Sequence, residues 1–231
     1  ALAPSRETLL SAEEAKTEFE KVFAKYNLNN WKVSLKENLV ADCVAGKNNR
    51  LFVKSKALFS KRRIESLIVH EIETHILTAE NGKNQPYEIF NRGLANYLIT
   101  QEGLAIYNVE KELHEPFNKN YKIFANVIAI YEGLENSFLE IFKKLSILGL
   151  PQDIAFRAAL KAKRGFSDTG KKGAFTKDYI YYQGYFEIKN FINNGGNIED
   201  LYLGKLNFHD LQIIKGISGI NKAKLLPTWL K

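Results

Sequence analysis

The chain has 231 residues and a formal net charge of +7, long enough for one domain with a sizeable core. Its 45% hydrophobic and 26% charged content excludes a disordered or fibrous chain, and no apolar run reaches the roughly 20 residues that cross a bilayer. A single cysteine, Cys43, excludes an intramolecular disulfide and fits a reducing, cytoplasmic compartment; no signal-peptide pattern opens the chain.

Ser11-Ala12-Glu13-Glu14 reads as a capped helix start with acids in its first turn, and the helix should run to about Tyr26. Three short strands follow: Trp31 to Lys36, Leu39 to Ala45 and Arg50 to Lys54. Turns at Glu37-Asn38 and at Gly46-Lys47-Asn48-Asn49 separate them. From Ser60 onward the pattern is helical, over 61–80, 88–113, 118–148, 152–163, 176–194 and 208–215. Asn81-Gly82 should stop the first of these helices and Gly195-Gly196 the fifth. Gly165 to Gly173 reads as a mobile loop over a cleft. The expectation is an α+β fold, a mostly helical body with a small antiparallel sheet before the helix of 61–80. One domain, 1–231, is expected: helix and sheet in 1–60, a pair of long helices in 61–113, and a helical subdomain in 114–231.

Within the first of those helices lies Val69-His70-Glu71-Ile72-Glu73-Thr74-His75. On the next lies Thr100-Gln101-Glu102-Gly103-Leu104-Ala105. A catalytic zinc ion takes three protein ligands and keeps one position open, and a carboxylate beside it acts as base. His70, His75 and Glu102 can be those ligands, and Glu71 the base. The familiar motif places its histidines at i and i+4. Here they stand at i and i+5, which on a straight α-helix would set them about 140° apart. A π-type widened turn would bring them together. Gly103 should let two helices approach closely enough for the Glu102 carboxylate to reach a metal on the first. On its own, H-E-x-x-x-H reads better as a packed histidine among solvated charges; the downstream Glu102-Gly103 shifts the balance to metal. His114 and His209, the other two histidines, read as a helix end and a surface residue.

The pair of segments resembles the bacterial QEGLA-motif proteins and their eukaryotic relatives, the microtubule-associated tyrosine carboxypeptidases. A second block is similar to the same family: Arg164-Gly165-Phe166-Ser167-Asp168-Thr169, then Gly173-Ala174-Phe175-Thr176-Lys177-Asp178, Tyr181 and Gly184. The resemblance implies a zincin-like fold and a Zn2+-dependent metallocarboxypeptidase. His70, His75 and Glu102 would then be the ligands and Glu71 the general base. The expected substrate is the C-terminal tail of a peptide or protein, ending in an aromatic or other large apolar residue.

A carboxypeptidase needs a cation for the terminal carboxylate. Arg164 and Lys177 are the first choices, with Arg157 and Arg92 as alternatives. Tyr181 could steady an oxyanion. The basic cluster Lys161, Lys163, Arg164, Lys171, Lys172 and Lys177 fits an acidic tail. No nucleic-acid module is recognisable, so neither nucleic acid nor membrane is an expected partner. Arg50 to Lys54, the last strand before the metal helix, is the candidate edge strand for pairing with substrate. Three other readings stay open. The chain could be a zinc endopeptidase, a metal-binding regulatory protein without turnover, or a basic module whose histidines are structural.

Overall fold

A computed structural model describes residues 8–230. The Ser11 hydroxyl accepts a hydrogen bond from Glu14 N–H, and the Glu14 carboxylate accepts one from Ser11 N–H, a full capping box. Helix α1 (Ala12–Lys25) follows and buries Ala12, Ala15, Phe19 and Phe23 on one face. Strands β2 (Lys32–Lys36), β3 (Cys43–Gly46) and β4 (Arg50–Lys54) form a three-stranded sheet; β1 (Leu9–Leu10) and β5 (Phe59–Ser60) form a separate antiparallel pair.

The three-stranded sheet departs from expectation in two ways. It is mixed, with β2 parallel to β4 and β3 antiparallel to it. Its order is β2-β4-β3, so Arg50–Lys54 is the central strand and β3 is an edge. The cause lies in the turn. Asn48 and Asn49 both take left-handed backbone angles (φ 57° and 54°), which folds β4 straight back along β3 as a hairpin. The other side of β4 then pairs with β2.

Ser60 caps α2 (Lys61–Leu67). The helix passes without a break into a π-helical stretch, Ile68–Ile76, and then into α3 (Leu77–Lys83). Asn81 and Gly82 do not stop it, because both are used for packing. The Asn81 amide bonds the backbone of Lys224 and Leu225, and a Cβ on Gly82 would meet the Phe90 carbonyl at 2.4 Å. The expected helix over 88–113 is interrupted. Short α4 (Ile89–Arg92) ends at Gly93 (φ 118°), and Asn96 in a left-handed conformation precedes α5 (Tyr97–Leu113). The span 118–148 also divides, into α6 (Tyr121–Gly133) and α7 (Phe138–Ile147), because Ser137 and Glu140 form a second capping box. Helices α8 (Gln152–Ala162), α9 (Tyr179–Asn193) and α10 (Leu211–Lys215) complete the body.

The main core joins α1, the sheet, the π-helical stretch, α5 and α9; a smaller alanine-rich core lies between α6, α7 and α8. The 165–173 loop is anchored to the small core. Lys163 is buried and donates to the carbonyls of Gly133, Lys171 and Gly173 at 3.1, 2.7 and 2.6 Å. Burial lowers its pKa. With its donors committed to backbone carbonyls, Lys163 leaves the group of residues expected to handle anions. No helix among the described residues is long and apolar enough to cross a membrane.

Candidate metal and catalytic site

The π-helical stretch decides the geometry of the two histidines. Leu77 N–H bonds the Ile72 carbonyl five residues back, and the Thr74 hydroxyl bonds the Val69 carbonyl at 2.8 Å. A π-helix turns less per residue than an α-helix, so residues five apart share a face. The His70 and His75 ring centroids lie 4.9 Å apart at 85°. The widened stretch spans nine residues, longer than the single bulge that the spacing required.

Glu102 reaches the same point from α5. Its Oε2 lies 3.5 Å from His70 Nε2 and 3.6 Å from His75 Nε2. That oxygen is buried and makes no hydrogen bond. His70, His75 and Glu102 offer ligand atoms all within 4.8 Å of one another. Burial disfavours the protonated form of His75, but Glu102, Glu71 and Gln101 outweigh it and raise its pKa to about 9. Burial alone would raise the Glu102 pKa, yet the two imidazoles hold it far below the usual carboxylate range. Both shifts record the attraction between the Glu102 carboxylate and the two imidazoles.

Glu71 sits alongside. One carboxylate oxygen accepts from Ala45 N–H at 2.8 Å, and the other lies 4.0 Å from His70 Nε2. The edge strand β3 thus holds the candidate base. Cys43, two residues before Ala45, is buried, and burial with the Glu71 charge pushes its thiol pKa up. It is a core residue and not a nucleophile.

Tyr181 on α9 belongs to the site. Burial raises its pKa, and so do the charges of Glu102, Asp178 and Glu71. Burial and these charges together keep the phenol in its protonated form. Gly103 has a different role from the one expected. The close approach it permits is to α9: a Cβ there would stand 2.3 Å from the Gly184 backbone. Glu102 precedes one member of this glycine pair and Tyr181 lies one turn before the other, so the crossing fixes how closely the two side chains approach.

The candidate carboxylate-binding cations are less well placed. Arg164 stacks 4.3 Å over the Phe175 ring and pairs with Asp178 at 3.7 Å; Lys161 pairs with Asp178 at 3.1 Å. Asp178 engages both cations with its one carboxylate. Lys177 is exposed, and no hydrogen bond or ion pair among the described residues joins it or Arg164 to His70, Glu71, His75 or Glu102. Arg157 is exposed on α8, and Arg92 pairs with Glu88 on the surface. His114 caps the end of α5 in a left-handed conformation, and His209 is exposed beside Glu187.

Two site residues escaped the sequence reading. Gln101 is buried, and its Oε1 lies 3.3 Å from His75 Nδ1. Tyr97 opens α5, and its pKa is raised by burial and then by the Glu102 charge. Gln101 stands beside Glu102 in the motif, and that adjacency was the available signal. Tyr97 carried none.

Fold and site together define an α+β protein built around a buried cluster of two histidines and a glutamate, with a second glutamate beside it. The chain belongs to the microtubule-associated tyrosine carboxypeptidase family, whose family model matches residues 1–231. It is 26% identical over 172 residues to a human protein named putative tyrosine carboxypeptidase MATCAP2, covering 73% of this chain and 32% of that one. It is 26% identical over 206 residues to rat microtubule-associated tyrosine carboxypeptidase 1, covering 86% of this chain and 43% of the relative. The human protein of that second name is 28% identical over 162 residues, covering 68% and 34%. The chain thus spans less than half the length of these relatives.

Proposed function

We propose that the chain is a zinc-dependent metallocarboxypeptidase domain that removes one C-terminal residue, aromatic or otherwise large and apolar, from a peptide or protein tail. The observation that carries this is the buried Glu102 oxygen, unpartnered and nearly equidistant from two imidazole nitrogens. Ligand atoms at about 2.0–2.1 Å from a tetrahedral ion stand roughly 3.3–3.4 Å apart. The observed 3.5 and 3.6 Å are close to that spacing, and the nitrogen and carboxylate donors suit zinc. His70, His75 and Glu102 would hold the ion. Bound there, it would supply Lewis acidity at the scissile carbonyl.

The chain's own groups account for the remaining steps. Glu71, oriented by Ala45 N–H, takes the proton of the attacking water and delivers it to the leaving amine. The Tyr181 hydroxyl donates to the oxygen on which charge develops. Edge strand β3, in place of β4, offers backbone groups to an extended tail. Arg164 or Lys177 meets the terminal carboxylate after local rearrangement, since Arg164 is engaged with Asp178. Family membership and the single buried Cys43 support a cytoplasmic enzyme.

Gln101 orients His75, and its replacement is expected to be felt in metal affinity. An outer partner on a ligand imidazole fixes its tautomer, and its loss costs about 10–100-fold in affinity. Gln101→Leu should weaken zinc binding by that factor in a chelator competition, while Gln101→Glu should retain it. Equal affinities for wild type and the leucine variant would show that Gln101 only fills space.

The proposed reaction is tested by elemental analysis of the purified chain and mass spectrometry of peptides incubated with it. One zinc per chain and loss of a single C-terminal residue are expected. C-terminally amidated peptides should be poor substrates, because the amide carries no charge for a cation. Internal cuts, or equal cleavage of amidated and free peptides, would make the chain an endopeptidase. Bound zinc with no cleavage would make it a regulatory metal-binding protein.

A further inference from the structure

The outer face of the three-stranded sheet carries an arrangement of charge that the fold does not use. Val33, Cys43, Leu51 and Val53 are buried on the inner face. Strand alternation therefore places Lys32, Ser34, Lys36, Arg50, Phe52 and Lys54 on the outer one. The register sets Lys32 opposite Arg50 and Lys36 opposite Lys54. Like charges directly opposite one another destabilise a strand pair, and here two such pairs occupy one face. The acids near the strand ends offer little relief: Glu37 is taken by Lys56 at 3.5 Å and Asp42 by Arg63 at 2.9 Å. Among the described residues, Lys32, Lys36, Arg50 and Lys54 make no ion pair, whereas Arg62, Lys161, Arg164 and Lys189 do.

Two of the four cations are also held in place. Arg50 Nη1 donates to Ser34 Oγ at 3.2 Å, and Lys36 Nζ stands 3.8 Å above the centre of the Phe52 ring. The face is bordered by β3, the strand whose Ala45 N–H holds Glu71. A chain crossing this border has the charged face on one side and the candidate site on the other.

We propose that this sheet face binds the acidic stretch of an extended peptide whose end enters the site. The proposal rests on the peptide-tail reading above and adds a second contact surface to it. An extended peptide repeats same-face side chains about every 6.6–7 Å, the same interval that separates successive rows of this sheet. A nucleic acid is the weaker fit. Single-stranded binders stack bases on open aromatic rings, and Phe52, the aromatic ring in these rows, is covered by Lys36. Individual exposed ion pairs are weak, so binding should depend on several at once and fall steeply with salt.

The test uses two fluorescent peptides with the same free C-terminal residue, one with a run of glutamates upstream and one with glycine and serine. Fluorescence anisotropy with the Glu71→Gln chain separates binding from turnover. The acidic peptide should bind more tightly at low NaCl, and the preference should disappear at high NaCl. Lys32→Glu, Lys36→Glu, Arg50→Glu and Lys54→Glu combined should lower its affinity about tenfold or more and leave the neutral peptide unchanged. If the quadruple variant melts early by circular dichroism, Lys36→Gln with Lys54→Gln replaces it, with a smaller loss expected in the same direction. Equal binding of the two peptides, or an acidic preference untouched by the substitutions, would overturn the proposal. So would a short oligothymidine that displaces the acidic peptide at lower concentration than the unlabelled peptide does. If the preference is lost in the variants but wild type cleaves neither peptide, the sheet face stands and the carboxypeptidase reading falls.

Discussion

Glu71→Gln is expected to leave zinc content unchanged and to lower kcat about 10²–10⁴-fold, the usual contribution of a positioned general base. The amide keeps nearly the shape of the carboxylate, and its oxygen can still accept from Ala45 N–H, where Glu71 accepts at 2.8 Å. It cannot take a proton from water. Metal content should hold because His70, His75 and Glu102 are untouched, and Glu71 Oε1 stands 4.0 Å from His70 Nε2. The measurement pairs elemental analysis with single-turnover kinetics. Near-normal turnover in a fully metallated variant would remove Glu71 from the mechanism. Glu73 would not replace it, because it is buried and bonded to the Tyr26 hydroxyl at 2.6 Å, beneath the C-terminal segment that Tyr26 also holds at Thr228.

Gly103→Ala should destabilise the whole chain by about 1–3 kcal/mol, the cost of forcing extra volume into a packed contact. For a chain of this size that is a fall in Tm of roughly 2–12 °C. Alanine is intrinsically the better helix former by about 0.5–1 kcal/mol, so the steric effect must exceed that gain. It should, because the added carbon would lie 2.3 Å from the Gly184 carbonyl carbon and oxygen. Backbone cannot swing aside as a flexible side chain can. The helices must separate, which also draws Glu102 away from Tyr181 and should weaken zinc binding. A thermal melt and a chelator competition measure both effects. An unchanged Tm would mean that α5 and α9 slide apart freely and that the glycine pair does not set the site.

The cluster His70, His75 and Glu102 was legible in the sequence because its members are chemically distinctive and lie on two successive helices. The widened turn was legible too, since two side chains five residues apart face one point only where the helix unwinds. The capping box at Ser11 and Glu14 was equally local and equally visible. The interruptions at Gly93 and Asn96, and between Gly133 and Ser137, fell inside stretches whose apolar spacing continued across the break. Periodicity alone could not find them.

The sequence by itself determined the residue chemistry and the local backbone of this protein: which groups can hold a cation, which helix must unwind, and where Ser11 starts a helix. These depend on neighbours within a few positions. Only the tertiary structure decided which strand is an edge, since that depends on what lies on the far side of β4. It also decided that Gly103 meets Gly184, that Lys163 is buried among carbonyls, and that Asp178 engages Arg164 and Lys161. Each is a contact between segments distant along the chain or a consequence of burial. A cation's availability to a ligand depends on such contacts and not on its place in a motif.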